Sequence, residues 1–237
     1  MSNLAPGQVY AMQRRELLDL ARSLTADQAA TVVALSPAWT VKDVVAHVCG
    51  INADVLAGNV TGVGTESWTA AQVDGRAGHS IGEVCDEWES MAGEVDALGA
   101  AQPALATRAT GDLVSHYHDV LTALGRTGQR DSAPVRLALE RYGSAFVERA
   151  GEAGLPIIRV QVDGPPPGDD LDTGEQGWPW PEGEPAIVLS GTAFELLRAF
   201  SGRRSLSQIR AMDWSGDPDA YLNMVAPYEL PVRDVAE

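Results

Sequence analysis

The chain has 237 residues, 45% of them hydrophobic and 21% charged, an ordinary globular composition that excludes collagen-like, low-complexity and wholly disordered classes. Its 17 basic and 33 acidic residues leave a formal net charge of −16, which repels phosphate backbones and anionic membrane surfaces, so nucleic acid is not an expected partner. No stretch approaches the roughly 18 consecutive apolar residues of a membrane helix, and MSNLAPGQVY lacks the basic flank and apolar core of a secretion signal, so a cytoplasmic protein is expected.

In chain order, Val9, Met12, Leu17, Leu20, Ala21 and Leu24 recur at helical spacing and predict a first amphipathic helix over 8–24. Thr40 and Asp43 form a capping-box pair that starts a second helix, running to about residue 57. Ser80 and Glu83 repeat the signature ahead of Ile81, Val84, Trp88, Met91, Val95 and Leu98, predicting a third helix of about five turns. Leu113, His116, Tyr117, Val120 and Leu124 mark a fourth, ended by Gly125. Ser132 and Pro134 open a fifth, with the stripe Val135, Leu139, Tyr142 and Phe146. With no strand signal between them, these helices imply a bundle over residues 1–152.

After Gly154 the pattern changes. Ile158, Val160 and Val162 alternate with Arg159 and Gln161 as in a half-buried strand, and PAIVLS at 185–190 is a second strand-length run. Half of the 22 residues from Gly164 to Pro185 are Gly or Pro, which predicts a loop, and Trp178 and Trp180 within it are candidates to line an apolar cleft. Thr192 with Glu195 caps a following helix, Ser205 with Gln208 another, and Asp217 with Pro218 starts a last one. The expected class is therefore α+β: a helical bundle over 1–152 and a small α+β domain over 153–237.

Two of the four histidines fall on stripes that face the bundle interior. His47 lies on the second helix among Val44, Val48 and Ile51, and His116 on the fourth between Leu113 and Val120, with Asp112 one turn earlier on the same side. If those helices are neighbours, His47, Asp112 and His116 supply two imidazoles and a carboxylate, the ligand count of an open catalytic zinc site. Core histidines hydrogen-bonded to backbone or to Asp112 are the competing reading. Asp119, three residues after His116, is placed either to orient that ring as a hydrogen-bond acceptor or to sit as a solvated helix residue. His118 points about 200° away from His116 on the helical wheel and is the substitute ligand if the phase differs. His79 is expected in an exposed loop, and Cys49 and Cys85 as small buried side chains without a disulfide. No nucleophile elbow, Walker loop or dinucleotide-binding glycine motif is present.

AWTVKDVVAHVCG at 38–50 and DLVSHYHDVLTALG at 112–125 resemble the maleylpyruvate isomerase-like, mycothiol-dependent branch of the DinB-like metalloenzymes. The tail SGRRSLSQIRAMDWSGDPDAYL at 201–222 is similar to the domain that follows the bundle in that branch. The resemblance implies a DinB-type four-helix bundle holding a divalent metal, usually zinc, through His47, Asp112 and His116, although the family most often has glutamate where this chain has Asp112. It also implies a sterol carrier protein-like C-terminal domain contributing an arginine towards substrate, for which Arg203 and Arg204 are the candidates. Cations stabilising a helix end are the alternative role for that pair.

The expected activity is that of an actinobacterial-type enzyme using mycothiol, or a similar small thiol, for isomerisation or S-transfer on a small, electrophilic, anionic substrate. The expected partners are a small-molecule substrate and the thiol, with no nucleic acid and no membrane, and the chain is expected as a monomer or homodimer. Two other readings compete with it: a non-catalytic small-molecule or lipid-binding module with a structural or vestigial metal site, and a hydrolase using metal-activated water.

Overall fold

Seven of the ten α-helices among the described residues start where the sequence supplies a side-chain oxygen for the unpaired amides of the first turn. The structure, a computed structural model, describes residues 4–163 and 183–237. Among the described residues the chain packs as two compact units, Pro6–Ala109 with His116–Gly128, and 4–5 and Thr110–Ser115 with 129–163 and 183–237. The fold is α+β, with a helical N-terminal region and a small sheet in the C-terminal part.

The first unit begins with α1 (Pro6–Arg22), whose buried stripe includes Val9, Leu17, Leu18 and Ala21. The short α2 (Ala26–Ala29) follows, with a complete Thr25–Gln28 capping box. An antiparallel pair, β1 (Val32–Val33) and β2 (Ser36–Thr40), comes next. This hairpin corrects the expectation that no strand interrupts the helices; two to five residues are too few for alternation to show in a sequence. β2 runs directly into α3 (Val41–Leu56), where Thr40 accepts from Asp43 N–H and the Asp43 carboxylate accepts from Thr40 N–H at 2.9 Å. Val33, Val41 and Val44 pack with Val120 into one apolar cluster, which seats α3 against the C-terminal half of α7 (Pro103–Ala123).

Three further helices complete the unit: α4 (Glu66–Asp74), α5 (Ile81–Ser90) and α6 (Ala92–Ala101). The expected five-turn third helix is broken into α5 and α6. Met91 N–H turns to Trp88 O at 3.3 Å, an i,i−3 bond that tightens the chain, and Gly93 follows in the weakened stretch. The fourth expected helix is α7 and starts earlier than its apolar stripe, at Pro103 in the first turn. It ends before Gly125, whose φ of 63° a side chain would strain.

In the second unit α8 (Ala133–Glu152) begins after Ser132 with Pro134 in its first turn, as the sequence indicates. The change from helix to strand comes between Glu152 and Ile158, and α8 packs with the strands. β3 (Ile158–Val162) pairs in parallel with β4 (Ile187–Gly191), and β4 pairs antiparallel with β5 (Asp213–Trp214). The Gly/Pro-rich stretch from Gly164 to Pro185 lies outside the described residues up to 182, and so do Trp178 and Trp180. α9 (Ala193–Phe200) is capped by Thr192, and α10 (Leu206–Arg210) by a full Ser205–Gln208 box. The core joins Val135, Leu139 and Phe146 of α8 to Leu196, Leu197 and Phe200 of α9 over Ile158, Val160, Ile187 and Leu189, with Phe146 and Phe200 stacked at 4.9 Å. The last helix expected from Asp217 and Pro218 does not form as an α-helix. Asp217 Oδ1 accepts from Asp219 N–H at 3.0 Å in a local turn, and only a 3-10 turn, Leu222–Met224, follows.

Arg198 is fully buried in this unit. Its Nε donates to Glu237 Oε2 at 3.0 Å, Nη2 to Glu237 Oε1, and Nη1 to Ser115 O at 3.2 Å. Burial raises the Glu237 carboxyl pKa, but Arg198 and Arg204 outweigh it and hold the group below its ordinary value. Such a carboxylate stabilises the fold above its unfolded pKa and loses that contribution as pH falls through the folded one. Glu237→Gln should therefore lower stability at pH 7, with the gap to wild type closing below about pH 4, as measured by urea unfolding across pH. Phe146→Ala, which empties a buried site, should cost about 3–5 kcal/mol in the same measurement.

Candidate metal centre

Asp112 and His116 lie one helical turn apart on α7, so the helix itself aims both side chains to one side. α3 brings His47 to the same place because Val44 and Val41, about one and two turns before it, are locked into the cluster with Val120, one turn after His116. The ligand atoms of His47, Asp112 and His116 all lie within 4.8 Å of one another. The imidazoles meet edge to face at 5.1 Å, and both are buried, while Asp112 is half-buried. The shorter aspartate side chain thus reaches the group.

Two residues beside the rings, Trp39 and Gln72, were passed over in the sequence reading. The Trp39 indole, in β2, lies 5.0 Å from the His47 ring and 6.2 Å from His116, forming an apolar wall beside both. Gln72, on α4, is buried with Oε1 at 2.8 Å from His47 Nδ1, and its Nε2 donates to Asp54 Oδ2 at 2.8 Å. Trp39 stands inside the quoted motif at 38–50, one residue before the cap; Gln72 lies on a helix whose only sequence sign is Thr65, which accepts from Trp68 N–H. On α7, Asp119 Oδ2 lies 3.5 Å from His116 Nδ1, as its spacing suggested. His118 is buried elsewhere on α7, edge-on to Tyr117 at 5.4 Å, and is not in the cluster; His79 is exposed.

The two candidate arginines have different surroundings. Arg204 is buried, with Nε at 2.9 Å from Glu195 Oε2 and Nη1 at 2.8 Å from Glu237 Oε2. Arg203 is half-buried and donates to Ser201 O at 2.6 Å. Burial pushes the Tyr142 phenol well above its ordinary pKa; Asp112 and Tyr228 add to this and Arg203 opposes it, so Asp112 and Arg203 act on one hydroxyl.

Two buried imidazoles and a half-buried carboxylate carried by two helices define a candidate divalent-metal centre with three protein ligands. Residues 10–108 match the family model described as the mycothiol maleylpyruvate isomerase N-terminal domain, which bears out over that stretch the resemblance read from the sequence. The match includes Trp39, His47 and Gln72 and ends before Asp112 and His116. Among curated proteins and among solved structures, nothing matches the chain.

Cys49 and Cys85 are free and buried. Burial pushes the Cys49 thiol up to about 12 and the Cys85 thiol to about 11, so neither is a thiolate near neutrality. A disulfide-exchange reagent at pH 8 should label neither in the folded protein and both after unfolding in guanidinium.

Proposed function

We propose that the protein is a metal-dependent enzyme that uses mycothiol, or a similar small thiol, for isomerisation or S-transfer on a small electrophilic, anionic substrate. The observation that carries this reading is the convergence of His47, Asp112 and His116 in a chain whose residues 10–108 match the mycothiol maleylpyruvate isomerase N-terminal domain. The donor set fits a metal. Zinc bonds of about 2.0–2.2 Å place tetrahedral ligands about 3.3 Å apart, so ligand atoms within 4.8 Å of one another close on an ion by movements of at most about 1 Å each. Zinc suits a nitrogen and oxygen set of three with one position left open.

A divalent ion bound there supplies the Lewis acidity that keeps a thiol sulfur as thiolate at neutral pH. His47 and His116 offer it neutral nitrogens, and Asp112 offsets one of its two charges. Asp119 beside Nδ1 of His116 leaves Nε2 of that ring for the ion. The Trp39 indole shields the imidazoles from water, which strengthens every charge interaction inside. Because Cys49 and Cys85 stay protonated, the reacting sulfur belongs to the bound thiol. Arg203 is the residue we assign to an anionic group of the substrate, since Arg204 already serves two carboxylates. In this reading the helical region is a DinB-type bundle and the sheet-containing part a sterol carrier protein-like domain.

Zinc titration of metal-stripped protein should give one ion per chain, and His47→Ala and His116→Ala should each abolish stoichiometric binding. The cobalt-substituted protein should gain a thiolate-to-metal charge-transfer band when mycothiol is added. Consumption of maleylpyruvate as a probe should stop when thiol is left out. Wild-type protein that binds no divalent ion would sink the reading, and thiol-independent turnover would favour activated water instead.

A further inference from the structure

We propose that Gln72 and Asp54 form a relay that fixes the tautomer of His47, making Gln72 a positioning residue for the metal centre; the inference rests on the metal reading above. A carboxylate accepts hydrogen bonds and donates none, so the amide atom of Gln72 at 2.8 Å from Asp54 Oδ2 is its NH2 group. Asp54 is itself held, its Oδ1 accepting from Asn59 Nδ2 at 2.9 Å. With its NH2 committed outward, Gln72 presents a carbonyl oxygen to His47 Nδ1 at 2.8 Å. A carbonyl oxygen can only accept, so Nδ1 carries the proton and, in the neutral ring, Nε2 carries the lone pair. The direction of every bond in the chain from Asn59 through Asp54 and Gln72 to His47 follows from the one group in it that has no proton to give.

Packing gives the relay its rigidity. A Cβ placed on Gly50 would come within 2.5 Å of Gln72 Cβ and 2.7 Å of its Cγ, so α4 approaches α3 at a point where any side chain would intervene. Arg76 adds a second tie, donating from Nη1 to Gln72 O at 3.1 Å and from Nε to Glu87 Oε2 at 2.9 Å. Gln72 is thus held by its backbone, by the glycine notch and at both ends of its amide. Its buried polar atoms serve one partner inside the unit and one at the edge.

The test uses the full chain, 15N-labelled and metal-free, with long-range imidazole 1H–15N correlations to read the tautomer and zinc competition against a chromophoric chelator to read affinity. Wild type should show His47 as the Nδ1–H form. Gln72→Leu should shift it towards the Nε2–H form and weaken zinc binding about 10–100-fold, the range for loss of a partner behind a ligating histidine. Asp54→Ala, at a half-exposed position, should move both readouts the same way by less, which keeps the inference open to refutation if Gln72→Leu fails to fold. The double variant Gln72→Glu/Asp54→Asn swaps the charge along the relay while keeping an acceptor at Nδ1, and should restore the Nδ1–H signature. An Nε2–H ring in wild type, or an unchanged tautomer in both single variants, overturns the relay. Wild type that shows the Nδ1–H ring but takes up no zinc overturns the metal reading and leaves the relay standing.

Discussion

Two imidazoles and a carboxyl group brought to one place, with the rings buried, are the constraint to which α3 and α7 answer. Polar groups taken out of water are costly unless each lone pair and proton has a partner, and the cost rises when several share one small volume. The chain meets this by surrounding the rings with oriented partners: Gln72 at His47, Asp119 at His116, and Trp39 across both. The seam of Val33, Val41, Val44 and Val120 lets α3 and α7 meet where the polar groups need them. An apolar clamp thus sets the geometry, and the polar groups inside it are what the clamp was shaped around.

Helix starts were legible because an N-cap is a local signal. Thr40, Ser80, Ser132, Thr192 and Ser205 each cap the helix their sequence neighbourhood indicates. The ligand cluster was legible for a related reason: helical spacing alone places Asp112 beside His116, and a valine stripe alone points His47 inward. Its closure, by contrast, needed the pairing of α3 with α7, which periodicity leaves open and the resemblance supplied.

What escaped the sequence was short or non-local. β1 and β2 are too brief for a period, and the break at Met91 depends on a single tightened turn. α4 has no apolar stripe to announce it, because its one buried side chain, Gln72, is polar. A helix that exists to deliver one amide to a neighbour looks, in sequence, like part of a loop. The paired carboxylates around Arg198 and Arg204 were hidden in the same way, since Glu195 and Glu237 lie up to 39 positions from the arginines they hold.

The notch at Gly50 has a bearing on how such a chain can vary. Gly50 offers no donor atom, yet a single methyl group added there would collide with the side chain that steadies a ring one turn away. Variation at this spot would be felt as a loss of aim at the histidine, with the ligands themselves intact. The least reactive residue of α3 therefore governs how faithfully its most reactive one is presented.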